Sequence, residues 1–91
     1  MIKMATLEEL QERFDLAERI ARALPTRTRR DCMRMSDHVR EHFQEASRAL
    51  VECRRLHRIT AQYEQSLVRI EESLQNFEGY VIMAKLMKGF P

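Results

Sequence analysis

Near the N-terminus apolar residues recur at alternating spacings of three and four: Leu7, Leu10, Phe14, Ala17, Ala21 and Leu24, with Leu16, Ile20 and Ala23 widening the stripe. This is the period of a helix that buries one face. Thr6 stands where a capping hydroxyl is needed, Glu9 follows three residues later, and Pro25 ends the pattern, so a helix over about 6–24 is predicted. Glu9 with Arg13, Asp15 with Arg19 and Glu18 with Arg22 lie four residues apart in the favourable order and read as ion pairs on a solvated face.

A second pattern begins directly after Pro25. Thr26 or Thr28 is read as its cap and Asp31 as an early carboxylate against the positive helix end. So short a link folds the first helix back antiparallel on the second. Val39, Phe43, Ala46, Leu50 and Cys53 make one stripe, and Tyr63, Leu67, Ile70, Leu74, Phe77, Val81 and Ala84 make another. Between them the steps through His57, Thr60 and Tyr63 include two consecutive spacings of three, a stammer in coiled-coil terms.

From His38 to Gln75, 38 consecutive residues include no Gly, Pro, Asn or Asp. Every residue type that turns a backbone cheaply is missing there. Residues 54–62 offer none suited to a positive φ, so one continuous helix over about 28–87 is the favoured reading. The alternative is a turn near 56–60 that makes a three-helix bundle of about 6–24, 28–56 and 60–87. Asn76 and Gly79 are the next stop signals, but Val81, Ala84 and Lys88 keep the preceding phase. The helix is therefore expected to run through Gly79, at about 1 kcal/mol relative to alanine, with a break at 76–79 as the other possibility. Gly89 and Pro91 are read as the close of the chain.

The expected fold is all-α, one helical domain over 1–91, with a short N-terminal helix antiparallel on a long one. A long helix cannot cover its stripe with so little remaining chain, and a domain of this size buries only about 60–65% of its unfolded surface. A bundle formed by dimerisation is predicted, with Val39, Phe43, Leu50, Leu67, Ile70, Leu74 and Phe77 in the dimer core. The segment from Tyr80 to Met87 is apolar on more than one face, which adds Val81, Met83 and Met87 to the expected interface. Met1, Met4, Met33 and Met35 complete a set of adaptable side chains toward element ends.

Hydrophobic residues make up 44% and charged ones 33%, with two Gly and two Pro, which excludes disorder and β-rich folds. No apolar run approaches the ~18 residues of a membrane span, and no secretory pattern opens the chain, so a cytoplasmic location is expected. A membrane-surface role is disfavoured because only Lys85 and Lys88 accompany the apolar C-terminal segment.

Net charge is +2, but residues 22–58 hold ten Arg against five acidic residues. Arg27, Arg29, Arg30 and Arg34 gather at a helix start and are candidates for an anion or nucleic acid; Arg54, Arg55 and Arg58 form a second cluster. The competing expectation is internal pairing of this basic helix with its acidic neighbours.

His38-Val39-Arg40-Glu41-His42 has the H-x-x-E-H spacing of inverzincin metalloproteases, with Glu45 one turn on as a third ligand. Such enzymes need a large cleft, and the reading of two helix-surface histidines is preferred; no metal or cofactor is expected. Cys32 and Cys53, 21 residues apart, share a helical face about 31 Å apart and cannot bridge each other. They read as small buried core residues, with an intermolecular disulfide as the alternative. No glycine-rich loop, nucleophile elbow or phosphate cradle is present. The functional expectation is a non-enzymatic protein–protein interaction module, an adaptor, regulator or chaperone acting as a homodimer on a protein partner, with a nucleic-acid-associated regulator as the alternative.

Overall fold

A computed structural model of the chain describes residues 5–88. Met1, Met4, Gly89 and Pro91 therefore lie outside the described residues. The chain is all-α: α1 spans Leu7–Arg22, α2 Thr26–Leu56 and α3 Ala61–Lys88. The three helices pack as an up-down-up bundle, the architecture that a turn near 56–60 predicts.

The continuous long helix is thus corrected. α2 stops at His57, which takes the left-handed conformation at φ 55°, ψ 37°. Histidine is among the few side chains enriched there. The backbone N–H of His57 donates to the Arg54 carbonyl at 3.3 Å and that of Arg58 to the Cys53 carbonyl at 3.1 Å, the two bonds of a Schellman closure. Thr60 then opens α3, its Oγ1 accepting from the Tyr63 N–H at 3.2 Å. The Thr60 N–H points at the Cys53 sulfur at 3.4 Å.

The apparent stammer also disappears. Leu56 is the half-buried residue at the corner and His57 is exposed, so the inward step runs Cys53, Leu56, Thr60, Tyr63. One turn earlier Ala49 is buried where Leu50 was expected, and Leu50 is half-buried on the flank. α3 passes through Asn76 and Gly79 without a break.

At the first helix the expected cap forms, Thr6 Oγ1 accepting from the Glu9 N–H at 3.1 Å. The threonine cap expected for α2 does not. Pro25, at φ −57° and ψ 151°, holds the N-cap position with no side-chain bond, and its carbonyl accepts from the Arg29 N–H at 2.8 Å. Proline supplies the extended geometry of a cap without a hydroxyl.

Phe14 is the meeting point of all three helices, its ring centroid 5.4 Å from that of Phe43 and 5.9 Å from that of Phe77. Val39, Phe43, Leu67, Ile70, Leu74 and Phe77, expected in a dimer core, and Val81, expected at the C-terminal interface, are buried inside the single chain. α1, with 16 residues, reaches about 24 Å, whereas α2 and α3, with 31 and 28, reach over 40 Å. Beyond the start of α1 the α2–α3 hairpin therefore continues as a two-helix arm, and the molecule measures 55 × 28 × 15 Å.

Of the charged groups of α1, Arg13 and Glu18 pair across the bundle instead of along the helix. Arg13 donates Nη1 to Glu71 at 2.6 Å and Nη2 to Glu78 at 2.7 Å, with Nε also on Glu78 at 3.2 Å. These bonds, Glu78 first, raise the guanidinium above its already high range against the opposing effect of burial. Glu18 accepts from the buried Ser36 hydroxyl at 2.6 Å and pairs with Arg40, whose guanidinium lies 5.6 Å from the Phe14 ring centroid. None of the three pairs four residues apart forms among the described residues. Inter-helix partners are partly shielded from water, where a charge-assisted bond is stronger than on an exposed face.

Candidate docking face at the end of the bundle

α1 and α2 separate apolar from polar residues cleanly, but the last turns of α3 do not. Phe77, Val81 and Ala84 face inward by their spacing of four and three. Ile82 and Leu86, four apart on the opposite side, together with Tyr80, Met83 and Met87, remain on the surface, Leu86 at 61% and Met87 at 66% exposure. The bundle has no fourth helix to cover them. Gly79 lies exposed on this same outward side, and a methyl group added there would meet nothing within 4 Å. The fold itself thus makes no steric demand for glycine in mid-helix.

Two grooves flank the ridge. One, of about 360 Å³, lies between α3 and the start of α2 and is lined by Pro25, Thr28, Tyr80, Met83, Ala84 and Met87. The other, of about 280 Å³, lies between α3 and α1, where Leu16, Ala17 and Ile20 face Val81 and Ile82. Of the residues expected at an interface, Met83 and Met87 are exposed here, Val81 is the groove floor, Leu50 is half-buried on the flank of α2, and the others are core. Ile82 and Leu86 lie within the Tyr80–Met87 segment expected to contact another chain, and their spacing opposite the buried stripe places them beside Met83 and Met87 on its outer face.

The short α1–α2 link brings the basic cluster to the same end. Arg27, Arg29, Arg30 and Arg34 are exposed and make no ion pair among the described residues. The expected internal pairing therefore does not involve them. Arg27, Asp31 and Arg34 share one flank of α2 by their spacing, and the Asp31 carboxylate accepts from the Tyr80 hydroxyl at 3.5 Å. Partial burial first, and then Asp31, raise the Tyr80 phenol above its ordinary range. Arg19 and Arg22 at the end of α1 and Lys85 on α3 are also exposed.

At the metal candidate, His42 Nδ1 lies 3.6 Å from Glu45, which also approaches Arg69 at 3.6 Å. His38 is exposed, and no group of three or more potential ligands converges among the described residues. The arrangement lacks the third donor that a zinc site needs. Cys32 and Cys53 are both free and buried, as their core spacing predicts. No helix among the described residues is long and apolar enough to cross a membrane.

No protein-family model matches the chain, and comparison with curated proteins and with solved structures returns no match.

Proposed function

We propose that this protein is a non-enzymatic interaction module that docks a partner protein on the α3 ridge between Gly79 and Met87. The observation that carries this reading is the coincidence of an uncovered apolar ridge with unpaired arginines at one end of the bundle. Contiguous exposed apolar surface with a polar rim is the usual mark of an interaction site. A partner helix with an apolar row and acidic flanks fits it: the row fills the two grooves, its backbone approaches at Gly79, and its carboxylates meet Arg27 and Arg34. The same arginines oppose self-association through this face, because a two-fold contact would set like charges against each other.

The test is fluorescence anisotropy with a labelled designed helix of that pattern, and with a copy whose flanking glutamates are lysines. The acidic helix binds and weakens as salt rises, the basic copy does not, and the exposed double variant Met83→Glu/Leu86→Glu loses binding while keeping its thermal melt. Equal affinity for both helices, or no effect of the variant, overturns the reading. Binding of anionic vesicles in preference to the acidic helix would assign the face to a membrane surface.

A second reading has its own support, since unpaired Arg27, Arg29, Arg30 and Arg34 at a helix N-terminus also suit a nucleic-acid backbone. It predicts steeply salt-dependent binding of a labelled duplex, lost in Arg27→Gln/Arg30→Gln/Arg34→Gln and indifferent to Met83→Glu/Leu86→Glu.

A further inference from the structure

We infer that two copies of this chain exchange α3. The corner at 57–60 opens, α2 and α3 become one helix from Thr26 to Lys88, about 95 Å long, and each α3 packs on the other copy's α2 with the contacts it makes at home. This association is independent of the docking ridge and stands or falls separately from it.

The first observation is the register of the inward positions through the corner. Cys53, Leu56, Thr60, Tyr63, Leu67 and Ile70 step three, four, three, four, three. A closed turn sets the rotation of α3 afresh and has no need of this continuity. A straight helix needs it, because only an unbroken heptad keeps one face on an antiparallel neighbour. The second observation is the composition of the hinge: no Gly, Pro, Asn or Asp occurs from His38 to Gln75, so the open form meets no helix breaker. The third is His57 itself, held at φ 55°, a left-handed conformation that opening releases.

The geometry carries over directly. In the closed chain Cys53 Sγ lies 3.4 Å from Thr60 Oγ1; in the exchanged pair each Cys53 faces the partner's Thr60, and the two-fold axis passes between Leu56 and His57. α1 remains linked to its own α2 and packs on it together with the partner's α3. Exchange of an identical element keeps the home contacts between helices, replaces the corner's closing bonds and Thr60 cap with helical backbone bonds, and adds contacts where the two hinges cross, which makes it a low-cost route to a dimer. Arg54 and Arg58 fall on the outward side of that heptad and stay in solvent in the exchanged pair, so like charge does not oppose the crossing.

The test uses the full chain in reductant, refolded at high and at low concentration and sized by light scattering. Exchange predicts a dimer after refolding at high concentration, relaxing slowly on dilution. His57→Gly relieves the left-handed corner and penalises the straight helix, and the dimer contains two such positions, so its dissociation constant rises at least about tenfold. His57→Ala shifts it the other way. Thr60→Cys reports topology on oxidation, because Thr60 Oγ1 lies 3.4 Å from the Cys53 sulfur in the closed chain and short side chains in such contact are within disulfide reach: exchange gives dimers linked between chains. A dimer whose links stay within each chain, a strictly monomeric wild type and His57→Ala, or a dimer unaffected by His57→Gly overturns the inference.

Discussion

Cys32 shows how one residue's chemistry follows from where it packs. It is fully buried, and burial, followed by the Asp31 charge, raises its thiol pKa above the ordinary value. The folded state therefore favours the neutral thiol more than the unfolded chain does. The stabilisation this represents is complete below the unfolded value of about 8.5 and is lost as pH rises from there through the higher folded value. Urea midpoints measured at intervals from neutral pH upward fall in the wild type, and Cys32→Ala flattens that fall. An unchanged slope in the variant would assign the alkaline loss to another group, Tyr63 being the next whose pKa is raised by burial. That Cys32 and Cys53 belong to the core was readable from their three-heptad separation, because helical phase is a local property.

The helices differ in how far their ends are written locally. α1 begins at a threonine cap visible in the sequence and stops just before Pro25, so both bounds were predicted within a residue or two. The corner between α2 and α3 was not, because its signals are a histidine in a left-handed conformation and a threonine cap with no glycine beside them. Thr60 carries that corner. Thr60→Ala removes the acceptor of the Tyr63 N–H and is expected to cost the closed chain about 1 kcal/mol, as lost caps do, read as a lower urea midpoint at unchanged slope. A change below a few tenths would mean that water or the Cys53 sulfur satisfies the α3 start as well. The ion pairs also escaped local reading. Arg13 and Glu18 have acceptable partners four residues away, yet they bond to α3 and α2, since sequence spacing cannot rank a neighbour on the same helix against one brought close by packing.

Across the whole molecule, stability is graded along the long axis. Where α1 overlies α2 and α3, Phe14, Phe43 and Phe77 close a three-sided core; toward the corner, Leu50, Leu56 and Tyr63 are only half-buried. Local opening requires less exposure of apolar surface in the arm than in the core. Hydrogen exchange followed by mass spectrometry should show the amides of residues 52–64 exchanging well before those of 36–46 and 70–81. Uniform protection would mean that the arm is braced as firmly as the core. The docking ridge lies at the other end, so a partner there and exchange at the hinge act on separate halves of the bundle.

The amino-acid sequence alone determined the helical class, the extent of α1, the antiparallel return after Pro25 and most of the buried positions, because each follows from periodicity over a few turns or from one stiff residue. It also carried the apolar excess of the last helical turns. Only the tertiary structure decided that α2 and α3 part at His57. Folding back lets the apolar stripes cover one another within a single chain, and the gain from that burial, spread over many residues, outweighs one unfavourable backbone conformation. The meeting of Arg27 and Arg34 with the α3 ridge is likewise tertiary: about fifty residues separate them along the chain, and only the two hairpins bring them to the same end.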